Sequence, residues 1–172
     1  MQRTPKEFYC LRCGTKLEQR ELDEVSRSVC PKCAWVHYED PKVATGCLIF
    51  NEKHEVLLVC RSIDPVGKWV FPGGYIDRFE DPKSSARREV AEETGLEVEV
   101  GELLDIYRAP ESPVLVLVYF AYVQDGSPPA KALNECRDVA YFSFDTIPWS
   151  ELAFSVTEQA LREGFCSREG RS

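Results

Sequence analysis

Read for the alternation of apolar and polar side chains, the chain changes character at about residues 40 and 41. Downstream, VATGCLIF at 43–50, EVLLVC at 55–60, VEVGELLDIYR at 98–108 and VLVLVYFAYV at 114–123 carry the β-branched and aromatic density of sheet strands. Residues 51–54 read as a hairpin turn and 124–129 as a loop leaving a long strand. Between the strands one helix is sharply bounded. Asp81 supplies an N-cap carboxylate, Pro82 fits the first helical position, and Gly95 is the expected left-handed cap after residue 94. A shorter helix is predicted over 156–162, after the turn-rich TIPWSELAFS. A further strand follows Glu135 in ALNECRDVAYF, and Trp69 and Phe71 are assigned to packing.

Upstream the pattern belongs to a metal and not to an apolar core. Cys10, Cys13, Cys30 and Cys33 form the pairs CLRC and CPKC, the knuckle spacing of a zinc ribbon. Gly14 and Pro31 help each knuckle turn. About forty residues cannot bury enough apolar surface alone, so Zn²⁺ would supply the missing folding energy. His37 is surplus to four thiolates and reads as a surface or packing histidine, and the four remaining cysteines read as buried thiols. The division expected is a zinc ribbon at 1–41 and a catalytic domain at 42–172.

Charge narrows the partners. The net charge is −8, and residues 1–41 carry as many acidic as basic side chains, so the whole excess lies downstream. Nucleic acid and anionic membranes need clustered Lys and Arg, so neither is the expected partner. The first ten residues hold no apolar signal segment and the run at 114–123 is too short to span a bilayer as a helix, which points to the cytoplasm. The ribbon accordingly reads as a stabilising or dimerising module before it reads as a nucleic-acid or redox element.

The helix itself carries the chemistry. At 3.6 residues per turn Glu89, Glu92 and Glu93 project within about 100° of arc. Three like charges on one face repel, so a cation is expected there, and Mg²⁺ or Mn²⁺ suits carboxylate oxygens while leaving positions for water and phosphate. Arg88 can pair with Glu92 one turn on. The helix follows a glycine-rich turn, FPGGYID, where Gly73 and Gly74 allow close approach of a ligand or offer a carbonyl to the same metal. Glu80 stands just before the N-cap.

Gly74, Glu80, Arg88, Glu89, Glu92, Glu93 and Gly95, with Val90 and Leu96 at the aliphatic places, fill every position of G-x5-E-x7-R-E-U-x-E-E-x-G-U. In this the chain resembles the Nudix hydrolases from residue 43 to about 162. The resemblance implies an α/β/α sandwich with a mixed sheet, a homodimer, and cleavage of a nucleoside diphosphate linked to a group X. It also implies that Glu89 and Glu93, with Glu92, bind the divalent metal, that the Gly73 carbonyl completes the site, and that Glu80 and Arg88 orient the others. The general base is either a box glutamate or Glu135. Arg61 is a candidate phosphate contact. Tyr75, Phe79, Tyr107 and Phe154 are either core aromatics or rings that stack on adenine or flavin.

The ribbon, the linker VHYEDPKVATGCLIF and the tail ECRDVAYFSFDTIPWSELAFS resemble a ribbon-bearing Nudix group that includes ADP-ribose and FAD pyrophosphatases. Pro110, fifteen residues beyond Gly95, is similar to the proline placement of ADP-ribose hydrolases. NADH pyrophosphatases also carry a ribbon, but YRAPESPVLVLVY lacks their SQPWPFPxS-like array. ADP-ribose or FAD is therefore the expected dinucleotide substrate, with AMP released. NADH, capped RNA and a non-catalytic nucleotide-binding role are the alternatives.

Overall fold

A computed structural model of the chain describes residues 8–110 and 112–169; the reading of the first seven residues lies outside them. Two compact units emerge, Met1–Asp40 and Pro41–Ser172.

In the first unit β1 (Glu18–Leu22), β2 (Val25–Val29) and β3 (Val36–His37) form an antiparallel sheet in sequence order. The two knuckles are built alike. The Gly14 N–H donates to the Cys10 carbonyl at 2.8 Å and the Ala34 N–H to the Cys30 carbonyl at 3.0 Å. Each of these two residues sits in the left-handed region, at φ 67° and 58°. Glycine adopts that conformation freely, whereas an alanine Cβ crowds the neighbouring carbonyl. Ala34→Gly is therefore expected to stabilise the folded ribbon by about 1 kcal/mol. Because folding and metal binding are one process in such a unit, a chelator-competition titration should show zinc held about fivefold more tightly; weaker binding would contradict this.

His37 packs between Phe8 and Trp35, with ring centroids 5.1 and 5.7 Å away, which is the packing role expected. The thiols of Cys47, Cys60 and Cys136 are buried as expected, but Cys166 is exposed. It lies on the outer face of the last helix, where the sequence pattern alone did not place it.

The second unit is built on β4 (Lys42–Ile49), β5 (Val56–Arg61), β6 (Trp69–Val70), β7 (Gly73–Tyr75), α1 (Pro82–Thr94), β8 (Val98–Arg108), β9 (Val114–Val123), β10 (Cys136–Phe142) and α2 (Ser155–Glu169). One sheet has the order β7-β4-β9-β8 and is mixed, since β4 and β9 run parallel and the other pairs antiparallel. The other sheet has the order β10-β5-β6 and is antiparallel. The turn at 51–54 is closed by the Asn51 side chain, whose Oδ1 accepts from the N–H groups of Lys53 and Glu55 at 2.9 Å each. A single bridge between Phe50 and Val56 follows, after which β4 and β5 part into different sheets.

Strand alternation then sorts side chains to two faces. Cys47, Ile49, Leu57, Tyr119 and Ala121 pack with Ala86 and Val90 of α1, while Leu48, Leu58, Val118 and Phe120 pack with Val156, Ala160, Leu161 and Phe165 of α2. This is the expected α/β/α sandwich. The last helix runs to residue 169 and not to 162, because Phe165 extends its buried stripe another turn. The FPGGY segment is likewise more than a turn: Gly73 and Gly74 pair with β4 in a short strand, where a Cβ on Gly73 would stand 2.2 Å from the Thr45 carbonyl oxygen. Among the described residues no helix is long and apolar enough to cross a membrane.

Candidate active site

Helix α1 is fixed at both ends by the residues that mark it in the sequence. Asp81 accepts from the N–H groups of Lys83 and Ser84 at 3.0 and 3.1 Å, and Gly95, at φ 71°, returns its N–H to the Ala91 carbonyl. Two carbonyls that a helix C-terminus leaves without partners are taken up by a distant loop. Lys131 N–H donates to Thr94 and Leu133 N–H to Glu93, at 2.9 and 3.0 Å. The loop leading to Glu135 and β10 is thereby stapled to the end of the helix.

Strand β7 lies against the acidic face. The Gly73 N–H donates to Glu93 Oε2 at 2.9 Å. The room that Gly74 leaves is filled by Glu89, whose carboxyl carbon would stand 2.5 Å from a Cβ there. Any larger residue at 74 would push Glu89 away.

Arg88 is the hub of the polar network. Its Nε donates to Glu80 Oε1 at 2.9 Å and its Nη2 to Glu80 Oε2 at 2.8 Å, a bidentate pair. Its Nη1 donates to Glu89 at 2.8 Å and, more distantly, to Glu92 at 3.3 Å. The expected contact with Glu92 exists, but Glu80 is the firmer partner because the loop folds back to bring it alongside. The Arg88 hydrogen bonds hold the Glu80 carboxyl down at about 2. Burial instead pushes Glu89 up, opposed by Arg88.

Glu93 is set apart from this arginine. Burial pushes its carboxyl up to about 7, against the Gly73 hydrogen bond and the charge of Arg61. The metal-free protein should therefore be less stable as pH rises. An unfolded glutamate titrates near 4.3, so between there and about 7 the folded state holds a proton that the unfolded state has lost. Stability falls across that window by on the order of 3 kcal/mol and is level above it. Melting temperatures of chelated protein at pH 5.5 and 7.5 check the sign, and Glu93→Gln should flatten the slope.

From the other sheet, Arg61 at the end of β5 stands opposite Cys136 at the start of β10. The Arg61 guanidinium lies 5.2 Å from the centroid of the Phe154 ring, and its charge acts on Glu93. The Cys136 thiol is buried, and that burial, with the Glu93 charge close by, raises it to about 12. Glu135 is exposed, one residue from Cys136, and its carbonyl accepts from the Ser62 N–H at 2.7 Å. Tyr75 is exposed, with the Lys42 ammonium 4.8 Å from its ring centroid. Tyr107 leaves the set of stacking candidates: it is buried and its hydroxyl donates to Glu163 at 2.6 Å, on the α2 side. Phe71 is core and Trp69 makes an edge contact with Phe142, as packing requires. Neither Cys136 nor Lys42 is prominent in the sequence; the only signal for Cys136 is its place beside Glu135.

The donor chemistry separates two metals. Around α1 it is all carboxylate oxygen, two of the acids being raised by burial and thus short of positive charge, which suits a hard divalent cation. In the first unit four sulfurs converge within 4.8 Å of one another, the tightest contacts being 3.5 Å for Cys10 with Cys33 and for Cys13 with Cys30, and 3.7 Å for Cys13 with Cys33. Zn–S bonds of about 2.3 Å in a tetrahedron place sulfurs about 3.8 Å apart. Among the described residues this is the one group of three or more such ligands so closely drawn together.

Comparison with known proteins now decides the family. Residues 40–161 match the family described as NUDIX domain, and residues 9–39 match the zinc-ribbon family described as Nudix N-terminal. The chain belongs to the Nudix family of pyrophosphohydrolases. A Nudix hydrolase structure from Nitrosomonas europaea superposes with a TM-score of 0.83 at 32% identity, covering 94% of this chain and 92% of that one. An ADP-ribose pyrophosphatase from Methanocaldococcus jannaschii is 31% identical over 122 residues, 68% of this chain and 69% of its own. The NAD-capped RNA hydrolase NudC of Pseudomonas aeruginosa is 28% identical over 142 residues, 81% of this chain but 49% of that protein, so the chain spans about half its length. Nudix enzymes work with divalent metals, in keeping with the carboxylate face of α1.

Proposed function

We propose that the protein hydrolyses the pyrophosphate of a dinucleotide, ADP-ribose or FAD, to AMP and the phosphorylated partner. The observation that carries this is the placement of Glu93. It is a half-buried carboxylate held by the Gly73 N–H, within reach of the Arg61 charge and one helical turn from the Arg88-bound Glu89.

Glu89, Glu92 and Glu93, with the Gly73 carbonyl, hold Mg²⁺ or Mn²⁺ in this reading. Such an ion, when bound, neutralises the phosphates and lowers the pKa of a water molecule. The chain's own residues do the rest. Arg88 and Glu80 hold Glu89 in one rotamer, and Gly74 leaves it room. Arg61 meets a phosphate while Phe154 fixes the guanidinium from below. Tyr75 and Phe154 offer faces to planar rings. A carboxylate, either a box glutamate or Glu135, takes the proton of the attacking water. Arg61 draws support from the reach of its charge to Glu93, with its Nη2 anchored on the Asp64 carbonyl.

The wider assignment follows the same line: a zinc ribbon over 1–41 with a structural role, the hydrolase over 42–172, a cytoplasmic homodimer, and no membrane or nucleic-acid partner. The similarity to an ADP-ribose pyrophosphatase supports the substrate class. The similarity to a NAD-capped RNA hydrolase makes NADH and capped RNA the second reading, against which the charge of −8 weighs.

Purified protein should be given ADP-ribose, FAD, NADH, diadenosine polyphosphates and NAD-capped RNA in turn, with Mg²⁺ and with Mn²⁺, and AMP measured. Release from ADP-ribose or FAD at the highest kcat/KM is expected. Cleavage of none of them would remove the reading, and a preference for capped RNA that weakens steeply with salt would favour the second.

A further inference from the structure

The segment between β7 and α1 holds a side chain that its backbone does not favour. A tight turn spans residues 77–80, closed by the Glu80 N–H donating to the Asp77 carbonyl at 3.0 Å. Phe79 occupies its third position at φ 73°. Glycine or asparagine is the natural occupant there, and a bulky aromatic is the least suited. Among the described residues the other non-glycine positions at positive φ are Asp23, Glu24, Ala34, His54 and Asn134, none with so large an apolar side chain. Burial does not offset the strain, because Phe79 is 93% exposed. Among the described residues its one recorded ring contact is the Arg78 guanidinium, 4.8 Å from the centroid.

The backbone that carries the ring is nonetheless held in place. Glu80, the next residue, is gripped by both nitrogens of one side of Arg88, which in turn holds Glu89. Glu80 also receives the Asp77 N–H at 3.1 Å, so the turn cannot swing freely. The other end of the same segment repeats the chemistry: Tyr75 is 53% exposed with the Lys42 ammonium over its face. A segment that presents a ring backed by a cation at each end suits a ligand with planar groups and phosphates. A strained, exposed residue held rigidly beside a candidate active site is the situation in which strain accompanies function.

We propose that Phe79, backed by Arg78, is a specificity-determining platform on which a planar ring of the dinucleotide stacks. This rests on the pyrophosphatase reading above and deepens it. The ring could be adenine, common to ADP-ribose and FAD, or the flavin of FAD alone.

The test measures Kd for ADP-ribose and for FAD in the E93Q protein, with and without Phe79→Gly, so that binding is read without turnover; KM and kcat follow in the otherwise unaltered chain. Phe79→Gly is expected to weaken binding and raise KM about tenfold, with kcat changed less than about twofold. The melting temperature should stay level or rise, since glycine relieves the turn. Phe79→Trp should restore affinity. Loss for both ligands assigns adenine, and loss for FAD alone assigns the flavin. Unchanged Kd for both ligands, or no binding of either before the substitution, overturns the proposal. So does a loss of affinity accompanied by a lower melting temperature that Phe79→Trp does not repair. Loss of a dimer at unchanged Kd would assign the ring to contact with a second copy and overturn it equally. Turnover by the unaltered protein on the substrate panel is scored separately, so failure of the pyrophosphatase reading is told apart from failure at Phe79.

Discussion

Glu93→Gln is expected to lower kcat by about a thousandfold while leaving the fold intact and nucleotide binding measurable. The size follows from removing a carboxylate that either holds the metal or moves a proton, steps each worth about a hundred- to ten-thousandfold. The specificity of the result follows from geometry. Glutamine keeps an oxygen that can accept the Gly73 N–H now bound at 2.9 Å, so the contact between β7 and α1 survives. It also removes a half-buried negative charge that the metal-free protein tolerates poorly, as the rise of Glu93 to about 7 records. The variant should therefore melt at the same or a higher temperature than the parent in chelator at pH 7.5. Loss of activity together with loss of stability would point to a structural acid. Unchanged activity would remove Glu93 from the reaction, and a parent that binds nucleotide with no turnover to lose would be a binding module.

Substituting its neighbour in the network should behave differently. Arg88 touches Glu80, Glu89 and Glu92 at once, so any change there loosens three acids and cannot separate chemistry from structure.

The contrast between these two residues shows what the sequence could and could not reveal. The helix over Pro82–Thr94 was legible because its boundaries are local: a carboxylate, a proline and a glycine, each with a conformational reason to stand where it does. The spacing of Glu89, Glu92 and Glu93 follows from helical geometry alone. Arg88 with Glu92 was legible for the same reason, being one turn apart. Arg88 with Glu80 is a contact across a loop whose backward fold depends on the strained turn at Phe79, and no periodicity encodes that. The neighbours of Glu93 are remoter still. Gly73 reaches it through the pairing of β7 with β4, and Cys136 through the loop bonded to the end of α1. Tyr75 and Tyr107 look alike in the sequence, yet one is exposed and the other buried, because the face of β8 that carries Tyr107 is covered by α2. Side-chain fate on a strand is set by what covers that face, and coverage is a long-range property.

Zinc removal should have the other large effect, and it should fall on the first unit. Among residues 8–40 the buried apolar side chains are Cys10, Val29 and Cys30, two of which belong to the four-cysteine group. One buried valine cannot offset the conformational entropy of some thirty ordered residues, which costs about 1–2 kcal/mol each in the backbone alone. A tetrathiolate zinc site contributes on the order of 10 kcal/mol, enough to change the balance. Residues beyond 41 hold two apolar clusters of their own and have no such dependence. The expected results are one zinc per chain by elemental analysis, and a Cys30→Ala protein that retains less than about a tenth of it. Limited proteolysis of that variant should cut before Asp40 and leave the remainder with its own melting transition. A protein that stays protease-resistant throughout with no metal would overturn the assignment. Four thiolates around one Zn²⁺ would add a formal charge of about −2 to a segment already balanced in acid and base.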